Sequence, residues 1–149
     1  MAGLYFEEFS VGQTVKTLSR TVSEDAIFNF AGLTGDYNQI HTDAEFAKST
    51  QFGQRVAHGL LGLSIATGLI MRTGMLEGTV LAFREIQDWK FVKPIFIGDT
   101  IHALLTVSET KALPRIGAGA LIAGIEVLNQ TNEVLQRGTL NLLVLSKPK

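Results

Sequence analysis

Gly59-Leu60-Leu61-Gly62-Leu63-Ser64-Ile65-Ala66-Thr67-Gly68-Leu69-Ile70-Met71-Arg72-Thr73 is apolar on nearly every side when wound as a helix. A surface helix needs a polar face, and one that is apolar all round belongs in an interior. The stretch falls short of the roughly 20 apolar residues that span a bilayer. Gly62, Ser64, Thr67 and Gly68 also interrupt it, and Arg72 follows. It therefore predicts a buried helix in a soluble fold. Gly62 and Gly68 each cost about 1 kcal/mol against alanine in a helix interior. Carrying both predicts close packing on the helix backbone by a sheet, a partner subunit or a ligand.

The sequence changes character after this helix. Residues 79–83, 89–92, 100–107, 118–128 and 134–145 are rich in Val, Ile, Leu, Thr and aromatics, the composition of strands. Pro94, Gly98-Asp99 and Asn129-Gln130-Thr131-Asn132 supply the turns between them. The last two runs, joined by that short polar turn, predict an antiparallel hairpin. Before the helix the pattern is mixed. Residues 11–20 read as a short extended segment. Ser23-Glu24-Asp25-Ala26 reads as a helix start, with a serine cap and acids in the first turn. Gly32 and Gly35 are expected to end that helix, and a second short one is expected over 44–48. One buried helix followed by four or five antiparallel strands is an α+β pattern.

Apolar residues make up 46% and charged residues 18% of the 149, enough for one well-buried core and too apolar for disorder. No repeat or linker divides the chain, so residues 1–149 read as a single domain. Net charge is −1 with both signs scattered singly, which argues against nucleic acid as a partner. The absence of cysteine excludes disulfides, zinc ribbons and thiol nucleophiles. The first residues lack a basic segment followed by an apolar one, so they do not read as a secretory signal. A cytoplasmic protein with no membrane association is the expectation.

The candidate chemistry sits in Leu33-Thr34-Gly35-Asp36-Tyr37-Asn38-Gln39-Ile40-His41-Thr42-Asp43. Five positions separate Asp36 from His41. On a regular helix that spacing sets two side chains roughly 140° apart. On a strand it sends them to opposite faces. Only an irregular bend lets them converge, and Gly32, Gly35 and Asn38 supply residues suited to one. From spacing alone, an Asp after a Gly is usually a turn former and a lone His usually structural or solvated.

This stretch closely resembles the hydratase motif of MaoC-like proteins and (R)-specific enoyl-CoA hydratases. The resemblance extends over nearly the whole chain. It includes Tyr5-Phe6-Glu7-Glu8-Phe9, Val56-Ala57-His58-Gly59-Leu60-Leu61 and Phe91-Val92-Lys93-Pro94-Ile95-Phe96-Ile97-Gly98-Asp99. One departure is Gln39, where the family usually has proline. The resemblance implies a hot-dog fold, an antiparallel sheet wrapped around a long central helix, and a homodimer. It implies hydration of trans-2-enoyl-CoA to (R)-3-hydroxyacyl-CoA, with Asp36 and His41 as the catalytic pair. Coenzyme A is then part of the substrate, and neither a cofactor nor a metal is expected.

Several further roles follow from the resemblance. The oxyanion donor is expected at the start of the buried helix, where Gly59 offers a free N–H and no Cβ; the alternative is an ordinary helix-start glycine. Thr67 is expected to orient Asp36, with Asn38 and Ser64 as secondary orienting residues. Ser64 and Thr67 can instead bond their own helix carbonyls. His58 reads as a brace for the helix start, and His102 as a locally satisfied or interface residue. Lys90, Lys93, Arg72 and Arg84 are all available to CoA phosphates, and spacing selects none of them. A hot-dog thioesterase and a non-catalytic acyl-CoA-binding protein are the rival readings. The paired Asp36 and His41 favour hydration over both.

Overall fold

The structure, a computed structural model, describes residues 3–149. A turn of 3-10 helix over Phe6–Glu8 leads into two short strands, β1 (Thr14–Lys16) and β2 (Arg20–Thr21). Three helices follow, α1 (Glu24–Thr34), α2 (Gln39–Thr42) and α3 (Ala44–Lys48), and then the long α4 (Gly59–Met71). The rest is four long strands: β3 (Val80–Phe91), β4 (Thr100–Leu113), β5 (Ala118–Leu128) and β6 (Val134–Leu145).

α4 is the predicted interior helix. Leu61, Gly62, Leu63, Ile65, Ala66, Leu69 and Ile70 are buried, and only a stripe through Leu60, Ser64 and Gly68 is exposed. The sheet that covers it is antiparallel in the order β1-β4-β5-β6-β3, with β2 pairing β4 separately. Period-two alternation turns Ile101, Ala103, Leu105 and Val107 of β4 inward. Leu121, Ala123, Ile125 and Val127 of β5 do the same, as do Leu140, Leu142 and Val144 of β6. These residues and α4 form one hydrophobic cluster. The result is the α+β hot-dog arrangement. No helix among the described residues is long and apolar enough to cross a membrane.

Local signals act as the sequence suggests in most places. Ser23 Oγ accepts the Ala26 N–H at 3.2 Å and starts α1. Gly35 closes it in the left-handed conformation at φ 79°, its N–H bonding Ala31 O at 2.8 Å. Gly32 does not end the helix; it lies inside it. Asp99 Oδ2 accepts the Phe96 N–H at 2.8 Å, which builds the expected turn before β4.

Three further expectations need correcting. The strand-like segments 79–83 and 89–92 belong to one strand, β3, which register shifts and the left-handed Asp88 (φ 51°) interrupt. The polar Arg84, Glu85, Gln87 and Asp88 hide this continuity, because an edge strand does not have to bury both faces. Residues 39–42, expected in irregular loop, form the single turn α2. Gly68 lacks the close neighbour predicted for it: a Cβ there would meet nothing within 4 Å in this chain. Gly62 does carry one, since a Cβ would fall 2.5 Å from Gln136 Nε2 and from Ile95 Cδ1.

Candidate active site

The bend between α1 and α4 is a sequence of side-chain caps. Thr34 Oγ1 accepts the Asp36 N–H at 3.2 Å, and Asp36 Oδ1 accepts the Asn38 N–H at 3.2 Å. Asn38 Oδ1 then accepts the Ile40 N–H at 3.1 Å and caps α2. Short polar side chains that bond the backbone two residues on are the usual makers of such turns. The Asn38 main-chain N–H thus contacts the Asp36 carboxylate directly. Gln39 occupies the first position of α2, where proline is favoured because its missing N–H costs nothing. The departure from proline therefore leaves the turn intact, with Asn38 holding it.

His41 is fixed from its far side. Its Nδ1 lies 2.7 Å from Val56 O. A carbonyl only accepts, so Nδ1 carries the hydrogen, and in the neutral ring Nε2 keeps its lone pair. The His41 ring stacks on His58, with centroids 3.8 Å apart and planes at 28°. His58 is 3% exposed, its Nε2 donates to Asp36 O at 2.9 Å, and Phe30 covers another side at 5.0 Å between centroids. His58 Nδ1 is buried without a partner. The His58 side chain makes no capping bond at the helix start; it ties the Asp36 bend to α4 and backs the His41 ring.

Ligand-type atoms of Asp36, His41 and His58 all lie within 4.8 Å of one another, the one such cluster among the described residues. One nitrogen of each ring is already bonded to a carbonyl, and near-parallel stacked rings do not aim their remaining nitrogens at a common centre. Tetrahedral zinc needs that convergence. The set is better suited to handling a proton or a water molecule.

The start of α4 adds a donor site. His58 O accepts the N–H groups of Leu61 and Gly62 at 3.0 and 3.4 Å. No side chain caps the helix, and the Gly59 and Leu60 N–H groups have no acceptor among the described residues. Free N–H groups at the positive end of a helix suit developing negative charge. The space a Gly59 Cβ would fill is already held by Phe91, whose Cδ1 and Cε1 would lie 2.8 Å away. The glycine is required here by the Phe91 ring of the same chain. A cavity of about 540 Å³ opens beside it, lined by Ile40, His41, Phe52, Gly59, Leu60, Phe91, Lys93 and Gln136 among others. A second groove of about 490 Å³ runs between α1 and α4 past Phe30, Leu33, Ser64, Gly68 and Arg72.

The remaining candidates are placed less centrally. Ser64 Oγ donates to Leu60 O at 2.7 Å, and Thr67 Oγ1 donates to Ser64 O at 2.8 Å. Both hydroxyl hydrogens serve their own helix, and neither is given to Asp36. Lys93 stands in the lining of the larger cavity and pairs with Glu133 at 2.7 Å, Arg72 lines the second groove, and Lys90 lies on the far side of the sheet beside Asp88 and Arg137. Sequence reasoning missed Gln136. It is 2% exposed, accepts the Trp89 Nε1–H at 3.3 Å, and donates from Nε2 to Gly59 O at 2.9 Å. The one signal for it was an amide directly after Val134 and Leu135, in a strand that also carries Arg137, Thr139 and Asn141.

Comparison with known proteins identifies the family and the fold. Residues 7–123 match the MaoC like domain family. Over 108 residues the chain is 37% identical to the (R)-specific enoyl-CoA hydratase of Rhodospirillum rubrum, covering 70% of this chain and 69% of that protein. It is 39% identical over 102 residues to Protein MaoC of Klebsiella aerogenes, 68% of this chain but only 30% of that protein's length. Among solved structures, the monoamine oxidase regulatory protein of Archaeoglobus superposes with a TM-score of 0.92 at 38% identity, covering 99% of this chain and 98% of that one.

Proposed function

The chain belongs to the MaoC-like domain family, and on that premise we propose that it is an (R)-specific enoyl-CoA hydratase, adding water reversibly to trans-2-enoyl-CoA. The observation that carries this reading is the presentation of His41: Nδ1 is held on Val56 O, which leaves Nε2 free for proton transfer, and a ring nitrogen of His41 lies within 4.8 Å of an Asp36 carboxylate oxygen. A water molecule held between the two groups gives its oxygen to C3 of the substrate and one proton to the pair. The C2=C3 π electrons take a proton at C2 from the same pair. The charge that gathers on the thioester oxygen meanwhile meets the free N–H groups of Gly59 and Leu60. Water is added in full and nothing is oxidised or reduced. The Asp–His pair handles both protons as a unit. Thr67 and Ser64 support the site as parts of α4, and Asn38 orients Asp36.

The substrate class is supported by the relatives, which include a protein named 3-hydroxybutyryl-CoA dehydratase from Methylorubrum extorquens, 34% identical over 106 residues. The largely apolar lining of the cavity at His41 suits an acyl or pantetheine chain. The protein acts as a cytoplasmic homodimer in this reading, with CoA entering as part of the substrate.

Purified protein is expected to consume crotonyl-CoA, followed by loss of enoyl absorbance, and to yield only the (R)-3-hydroxy product. Positioned proton transfer contributes roughly 10²–10⁴-fold. Asp36→Asn and His41→Ala should therefore each lower kcat by about that factor with the fold retained by circular dichroism. Full activity in both variants, or release of free CoA without loss of the enoyl chromophore, would overturn the reading.

A further inference from the structure

Gln136 occupies a position that apolar packing would fill more simply. Its neighbours along β6 include the buried Leu135 and Leu140, and the side chain enters the space between the sheet and α4. A buried amide is unfavourable unless its polar atoms are bonded. Here both are, through Trp89 Nε1 on one side and Gly59 O on the other. α4 also makes room for it, because a Cβ at position 62 would lie 2.5 Å from Gln136 Nε2. A leucine would fill the same space with no amide to satisfy, but it would leave the Trp89 Nε1–H without its acceptor and Gly59 O without this donor. The arrangement instead delivers a hydrogen bond to one particular peptide unit.

That unit joins Gly59 to Leu60. Its carbonyl receives Gln136 Nε2, and its other end is the free N–H of Leu60, at the helix start that borders the cavity containing His41. A hydrogen bond on a peptide oxygen polarises the amide and strengthens its N–H as a donor. It also fixes the plane of the peptide, which sets where the N–H points. We propose that Gln136, held by Trp89, is a positioning residue of the oxyanion site and tunes the donors at the start of α4 without touching the substrate.

This inference rests on the hydratase reading, and its test separates the two. Gln136→Leu should lower kcat for crotonyl-CoA about tenfold, less than the roughly 10²–10³ lost when an oxyanion donor is removed outright, with KM changed less than about twofold. A purely structural role would not alter the bound carbonyl. The second readout is therefore the C=O stretch of ¹³C-labelled crotonyl-CoA bound to an Asp36→Asn background, taken by infrared difference. Adding Gln136→Leu should move that band to higher frequency, toward its position in water-free solvent. Gln136→Met, similar in length, carries the same measurements if the leucine variant does not fold. Wild-type turnover with unchanged kcat and band position in the variants would overturn the inference and leave the hydratase reading intact. Absence of turnover together with a Gln136-dependent carbonyl band would sink the hydratase reading and keep the donor role. No binding of the thioester at all would remove both.

Discussion

Burial holds the His102 imidazole below its ordinary value of 6.5, and the positive charge of Lys16 acts in the same direction. The folded protein therefore keeps His102 neutral at a pH where the unfolded chain already binds a proton there. Stability from this residue is complete above about pH 6.5 and declines as the pH falls toward the lower folded value, with a slope of at most about 1.4 kcal/mol per pH unit for one proton. His102→Leu, similar in size, removes that proton linkage. Its loss of melting temperature between pH 7.5 and 5.5 should be smaller than in the wild type, and an identical loss would show that His102 does not contribute. At this scale the sequence was informative wherever a contact is local. The Ser23 cap, the Gly35 stop and the Asx bonds of Asp36 and Asn38 join residues at most four apart. His58 on Asp36 O and Gln136 on Gly59 O join residues 22 and 77 apart. Nothing in local spacing encodes such pairings, so the bond from His58 to Asp36 O and the amide relay became visible only in the fold.

Among the elements, α4 was the most legible and β3 and α2 the least. An all-apolar run has one physical solution, burial, whatever surrounds it. α2 is a single turn, too short to show periodicity, and it stands because Asn38 caps it and Val56 O holds His41. β3 lies at the sheet edge, where bulges and polar residues break the alternation that identifies inner strands. The two glycines of α4 give a paired test of how the helix is packed. Gly62→Ala drives a methyl into Gln136 and Ile95, and overpacking of this kind typically costs about 1–3 kcal/mol, offset by up to about 1 kcal/mol of helix propensity. Gly68→Ala meets nothing in this chain and should gain up to about 1 kcal/mol. Urea titrations of both variants should therefore move in opposite directions. A loss at position 68 would mean that a second molecule packs on that stripe of α4.

For the whole molecule, the edge of the sheet bears on the proposed dimer. β3 pairs with β6 on one side and with no strand among the described residues on the other. An open edge invites pairing with another chain unless charge or irregularity blocks it. Here Leu81, Phe83, Ile86, Phe91 and Val92 are each between 43% and 55% exposed, a concentration of large apolar side chains along one edge. Polar residues 84 and 85 and the Asp88 bulge interrupt this edge without covering it. Phe91 ends β3 and also lines the cavity at His41, so an interface built on this strand reaches the proposed substrate site. Sedimentation equilibrium of the wild type should return the mass of two chains. Phe83→Lys combined with Ile86→Lys sets like charges along the edge in each chain and should shift the protein to monomer at micromolar concentration. Because Phe91 links the edge to the cavity, turnover should fall in the same concentration range in which the dimer dissociates. A double variant that stays dimeric would place the contact elsewhere, with the groove between α1 and α4 as the next face to alter. A monomer with undiminished turnover would show instead that Asp36, His41 and the start of α4 are sufficient within one chain.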